Sequence, residues 1–178
     1  MQCETRAGAA VQLPSPGKLA GHAAVFDSPT DLGAFFEVVK PGAFTRSLRQ
    51  DGDILALYDH ERRSVLGRLS AGTLRLPEDA RGLAFELDLP DTTVGRDLAV
   101  LVQRGDVAGC SFGFLVPEGG DAWVTRADKP MRELRTVSLR EITITSMPAY
   151  ADTSVAMRCM PSHWESALQV HRLFFETL

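Results

Sequence analysis

The chain has 178 residues and a formal net charge of −4, with 44% hydrophobic and 24% charged residues. That composition fits one soluble globular domain with a core of ordinary size, and the negative balance gives bulk electrostatics no reason to draw it to nucleic acid. Three widely spaced cysteines, Cys3, Cys110 and Cys159, fit reduced thiols better than a disulfide framework. No apolar run approaches the roughly 20 residues needed to span a bilayer. The opening MQCETRAGAA lacks the apolar centre of a signal peptide. The expectation is a soluble protein in a reducing compartment, with neither a membrane nor a nucleic acid as partner.

Residues 1–18 carry Pro14, Pro16 and Gly17 without sustained periodicity, which predicts a flexible N-terminal arm or an edge strand. The main domain is expected over 19–158. It opens with short apolar strands at Gly21–Phe26 and Phe35–Val39. Pro41-Gly42 breaks the chain, and Ala43, Phe44, Ser47 and Leu48 follow at helical spacing. Ile54–Tyr58 is too short for an independent helix and predicts a buried strand ending at Asp59-His60. Val65–Leu69 predicts another. Leu83, Phe85, Leu87 and Leu89 alternate with Ala84, Glu86 and Asp88, the pattern of a half-buried antiparallel strand.

Val94, Leu98, Leu101 and Val102 form a helical stripe, capped by Asp91-Thr92-Thr93 and ended by Gly105. Ala108–Val116 then predicts a strand in which Cys110, Phe112, Phe114 and Val116 share one face. Gly119-Gly120 opens a loop, and Val137–Thr145, rich in Thr and Ile, predicts a long strand ended by Pro148. From Pro161 a weak helical pattern runs through Trp164, Leu168, His171, Leu173 and Phe174, so residues 159–178 are expected to form a tail, helical or processed. The sum is a mainly β protein with helices (α+β): a mostly antiparallel closed or barrel-like sheet surrounded by a few helices.

Ser111 stands in Gly109-Cys110-Ser111-Phe112-Gly113, a G-x-S-x-G match in which flanking glycines leave room around the hydroxyl. The elbow of an α/β-hydrolase is followed by a helix and places its histidine last in the triad; here a strand follows, and only His163 and His171 come later. From the pentapeptide alone, a buried filler serine is the simpler reading. His60 adds a base at the end of a buried strand, in Tyr58-Asp59-His60-Glu61-Arg62. Glu141 is a carboxylate inside the otherwise apolar Ser138–Ile144, costly unless paired, with a histidine or with an arginine such as Arg68, Arg135 or Arg140. His22 reads as a core or edge histidine, and Cys110 as a small buried residue.

A histidine closing an apolar strand (Leu57-Tyr58-Asp59-His60), a later Gly109-Cys110-Ser111-Phe112-Gly113-Phe114, and a strand running from Leu139-Arg140-Glu141-Ile142 to Pro148-Ala149-Tyr150 together resemble the prohead proteases of tailed bacteriophages. Ala24-Val25-Phe26 and Glu37–Phe44 add to the likeness, which covers about Gly21 to Met157. The family is similar in fold and chemistry to herpesvirus assembly proteases. The resemblance implies a serine endopeptidase with Ser111 as nucleophile and His60 as base. Glu141 is the candidate third member, because the herpesvirus enzymes use a second histidine and none lies in 137–145; Asp59 and Asp53 are the alternatives.

The oxyanion would be held by backbone N–H groups or an arginine such as Arg140. No cofactor and no metal is implied. Implied substrates are the scaffolding protein and the N-terminal part of the major capsid protein, with self-cleavage, inside the immature capsid in the host bacterial cytoplasm; a homodimer is compatible. The alternatives are a non-enzymatic capsid-assembly or scaffold module on the same barrel, and a different hydrolase using Cys110 or Ser111.

Overall fold

The computed structural model describes residues 3–50, 52–125 and 129–147. Pro148-Ala149-Tyr150 and the tail expected over 159–178, with Cys159, His163 and His171, lie outside the described residues. Strand β1 (Glu4–Ala7) is followed by β2 (Gln12–Ser15), β3 (Lys18–Val25), β4 (Thr30–Asp31), β5 (Phe36–Val39) and helix α1 (Thr45–Gln50). Then come β6 (Leu55–Tyr58), β7 (Glu61–Arg68), β8 (Leu74–Arg75), β9 (Gly82–Asp88) and helix α2 (Thr93–Arg104). The last described elements are β10 (Gly109–Leu115), β11 (Asp121–Val124), β12 (Met131–Leu134) and β13 (Ser138–Thr145).

The strands form three open sheets, ordered β1-β10-β13-β6-β7, β11-β12-β5-β4 and β2-β3-β9-β8. The closed or barrel-like sheet expected from the sequence is therefore not formed. Closure needs every strand to have two neighbours, whereas β1 and β7 end the five-stranded sheet without pairing to each other. The two-residue strands β4 and β8 are too short to carry a ladder onward. The helices do not surround the sheets either, since among the described residues only α1 and α2 are α-helices. The mainly β character stands, but β13 and β6 pair in parallel, as do β12 and β5.

Alternation buries one face of each sheet in a common core. Cys110, Phe112, Phe114, Ile142, Ile144 and Ala56 come from the five-stranded sheet, Leu19, Leu83, Phe85 and Leu87 from the sheet of β3 and β9, and Val39 and Leu134 from β5 and β12. Phe112 stacks on Phe114 at 5.1 Å and meets Phe44 edge-on at 5.6 Å. Helix α2 is set by its ends. The Thr92 side chain accepts from the Gly95 N–H, and Gly105, with φ of 84°, lets the chain leave in the left-handed region.

The loop expected around Gly119-Gly120 instead leads into the β11–β12 hairpin. It escapes the hydrophobic pattern because β12 turns a charge inward: Arg132 is buried. Its NH1 donates to Glu4 at 2.8 Å and Glu37 at 3.1 Å, and its Nε to Asp121 at 2.6 Å. Arg6 Nε donates to Glu37 at 2.5 Å and its NH2 to Glu4 at 2.8 Å. Burial opposes the Arg132 charge, but the carboxylates of Glu4, Glu37 and Asp121 outweigh it and hold its pKa above the usual arginine value. This network ties β1 to the sheet of β5 and β12.

Candidate active site

Strands β10, β13 and β6 lie side by side in the five-stranded sheet. Antiparallel pairing sets Ser111 opposite Thr143 and Gly113 opposite Glu141. Residues opposite one another point to the same face and successive residues alternate. Ser111, Gly113, Glu141 and Thr143 therefore share the face away from the phenylalanine core. Parallel pairing adds Leu55 and Leu57 of β6 to that face, opposite Glu141 and Thr143. On its other side β10 pairs with β1, where Ala7 stands opposite Ser111.

A β-bulge aims Glu141. Gly113 pairs with Glu141, but the next residue, Phe114, pairs with Leu139, so Arg140 is extra on β13. One extra residue breaks the two-residue period. Leu139 and Ile142 both face the core although they are three apart, and Glu141 turns to the opposite side.

The β6–β7 hairpin carries His60. Tyr58 pairs with Glu61, leaving Asp59-His60 as a two-residue turn. Their φ values are 48° and 59°, the positive pair of a type I′ turn, whose twist suits a hairpin. Asp and His are among the side chains that tolerate this region. His60 Nδ1 lies 2.6 Å from Glu141 Oε1. A contact that short between a ring nitrogen and a carboxylate has the hydrogen between them, so Nδ1–H donates to Glu141. In the neutral ring Nε2 then carries the free lone pair, which is the one a base uses. Glu141 reaches over Gly113: a Cβ there would stand 2.9 Å from Glu141 Cγ and 3.2 Å from Oε1.

The structure thus brings His60 and Glu141 into contact and puts Ser111 on Glu141's face of the adjacent strand. Ser111 is buried, with 0% of its surface exposed. Asp53 lies elsewhere, accepting from the Ser70 N–H and hydroxyl and from Arg68. Asp59 shares the turn with His60, and Arg140 is exposed at the bulge. His22 sits on β3, its Nε2 2.8 Å from Asp79 Oδ2. Cys110 is fully buried on the core face, and desolvation pushes its thiol up to about 12, which leaves it protonated and unreactive at neutral pH.

Thr143 was not visible as a site residue from sequence. Its hydroxyl accepts from the His60 backbone N–H at 2.9 Å and donates to the Leu57 carbonyl at 3.2 Å. Thr143 and Thr145 alternate with Ile142 and Ile144; that pattern marks a polar face but gives no hint that the face is buried.

Covalent acyl transfer by a serine uses a histidine base oriented by a third group. No curated protein matches the chain. The model of one family, described as the caudovirus prohead serine protease, matches residues 9–165. That span holds His60, Ser111 and Glu141 and most of the sequence, and by it the chain belongs to the caudovirus prohead serine protease family.

Proposed function

We propose that Ser111, His60 and Glu141 form the catalytic triad of this prohead protease. The observation that carries the reading is the 2.6 Å contact between His60 Nδ1 and Glu141, made on the face of β13 that also meets Ser111 in register. Glu141 orients the imidazole and stabilises the cation that forms on it. Ser111 Oγ attacks the peptide carbonyl carbon while its proton passes to His60 Nε2. The C–N bond then breaks, and the same proton goes to the leaving amine. Water attacks the acyl-enzyme with His60 again taking the proton, and Ser111 is released. Ser111 has no exposed surface, so whatever covers its hydroxyl has to move aside before a peptide can reach it.

The substrates we assign are the scaffolding protein or scaffolding segment, the N-terminal part of the major capsid protein, and the protease itself. Cleavage takes place inside the immature capsid in the host bacterium. Mixing the protein with its cognate capsid and scaffolding proteins, and mapping the new termini by mass spectrometry, tests the assignment. Defined cleavages that vanish with Ser111→Ala support it; cleavage that persists in that variant refutes it.

A further inference from the structure

We propose that Thr143 is a positioning residue that sets the pose of His60; this rests on the Ser111–His60–Glu141 reading. The parallel pairing of β6 with β13 runs as far as the turn, where the Asp59 N–H donates to the Ile144 carbonyl at 3.1 Å. At His60 the chain is already reversing. There the Thr143 hydroxyl oxygen accepts the His60 N–H at 2.9 Å. Because the same hydroxyl donates its hydrogen to the Leu57 carbonyl at 3.2 Å, its rotation is fixed and a lone pair faces His60. Thr143 is 0% exposed, and a buried donor or acceptor left without its partner is costly.

Both turn residues have positive φ, so the backbone has few other conformations that keep the ring on Glu141. Thr143 is also the residue opposite Ser111 in the β10–β13 register. One side chain therefore ties the turn bearing the base to the strand position facing the nucleophile. Loss of the hydroxyl frees the turn to shift relative to Ser111, and shifts on the order of 1 Å cost about a hundredfold in rate.

The test compares Thr143→Val, which keeps the shape and loses both bonds, with Thr143→Ser, which keeps the hydroxyl. The first readout is the rate at which a fluorophosphonate phosphonylates Ser111, Oγ bonding to phosphorus as fluoride leaves. The second is the low-field His60 Nδ1 proton signal in NMR, recorded in a Ser111→Ala background. We expect Thr143→Val to slow phosphonylation about a hundredfold and to shift or broaden the Nδ1 signal, while Thr143→Ser restores both. If Thr143→Val does not fold, Thr143→Cys, a weaker acceptor of similar size, takes its place with the same expectation. A wild-type rate in the hydroxyl-free variant overturns the proposal. So does an equal loss in Thr143→Ser with the Nδ1 signal unchanged, which would make Thr143 only a packing residue. A wild-type protein that forms no adduct counts against Ser111 as nucleophile, and the Nδ1 signal then decides Thr143 by itself.

Discussion

Replacing Gly113 by alanine puts one methyl group where Glu141 crosses the sheet. The new Cβ would lie 2.9 Å from Glu141 Cγ, 3.2 Å from Oε1 and 3.4 Å from Cδ, against about 3.5–4.0 Å for carbon atoms at rest. The side chain must give way by roughly 0.6–1.1 Å. Moved along the contact, the 2.6 Å bond to His60 would lengthen to roughly 3.2–3.7 Å, at or past the limit of a useful hydrogen bond. A displacement near 1 Å costs about a hundredfold, or about 2.7 kcal/mol of barrier. Stability should change far less. Overpacking costs about 1–3 kcal/mol at a rigid site, but Glu141 is partly exposed and can swing out. The Gly113 φ is not in the left-handed region, so alanine also narrows the unfolded ensemble by about 0.4–1 kcal/mol. The assay is cleavage rate and thermal midpoint on one preparation. We expect activity to fall about a hundredfold with the midpoint nearly unmoved; a stable Gly113→Ala protein with full activity refutes the reasoning.

Arg132→Met should leave Glu4 and Glu37 buried and partly unpaired, and lower stability by about 3–5 kcal/mol, read as a drop in the urea midpoint. A midpoint within error of wild type would show that β1 is held without Arg132, by its pairing with β10 and by Arg6. Iodoacetamide at pH 8 should modify the exposed Cys3 and spare Cys110 in the native protein, as mapped by peptide mass spectrometry; rapid native modification of Cys110 would contradict its placement. Several surface carboxylates are held below the usual range: Asp31 by Lys129, Asp53 by the Ser70 backbone, Asp79 by His22 and Asp88 by Lys18. Depressed folded values give stability that is present above the ordinary carboxylate pKa and is lost as pH falls through the folded values. The thermal midpoint should therefore drop below about pH 4, and a midpoint that rises on acidification would contradict these pairings.

Much of the strand order was legible because short apolar runs bounded by Gly, Pro or Asp admit few readings. Ile54–Tyr58, Ala108–Val116 and Val137–Thr145 correspond to β6, β10 and β13, and these three are neighbours. The Thr92 cap and Gly105 marked the ends of α2. Sheet closure was not legible, because periodicity shows which face is buried and says nothing of whether the edge strands meet. β12 was missed because its inward residue is a charged arginine, apolar in neither pattern nor composition and stable there through three carboxylates, two of them more than 90 residues away. The position of Glu141 was visible as a carboxylate in an apolar strand. Which of the expected partners it takes, a histidine or an arginine, was not, since that depends on a one-residue bulge at Arg140 that no alternation pattern reveals. Thr143 escaped for a similar reason: its role is a bond to the backbone of a residue 83 positions away.

The triad is tested most directly by mapping where a fluorophosphonate attaches under conditions in which the protein cleaves its capsid substrates. The account predicts a single adduct on Ser111, absent in His60→Ala and formed far more slowly in Glu141→Gln. An adduct on another residue, or one on Ser111 that forms at the same rate without His60, would contradict it.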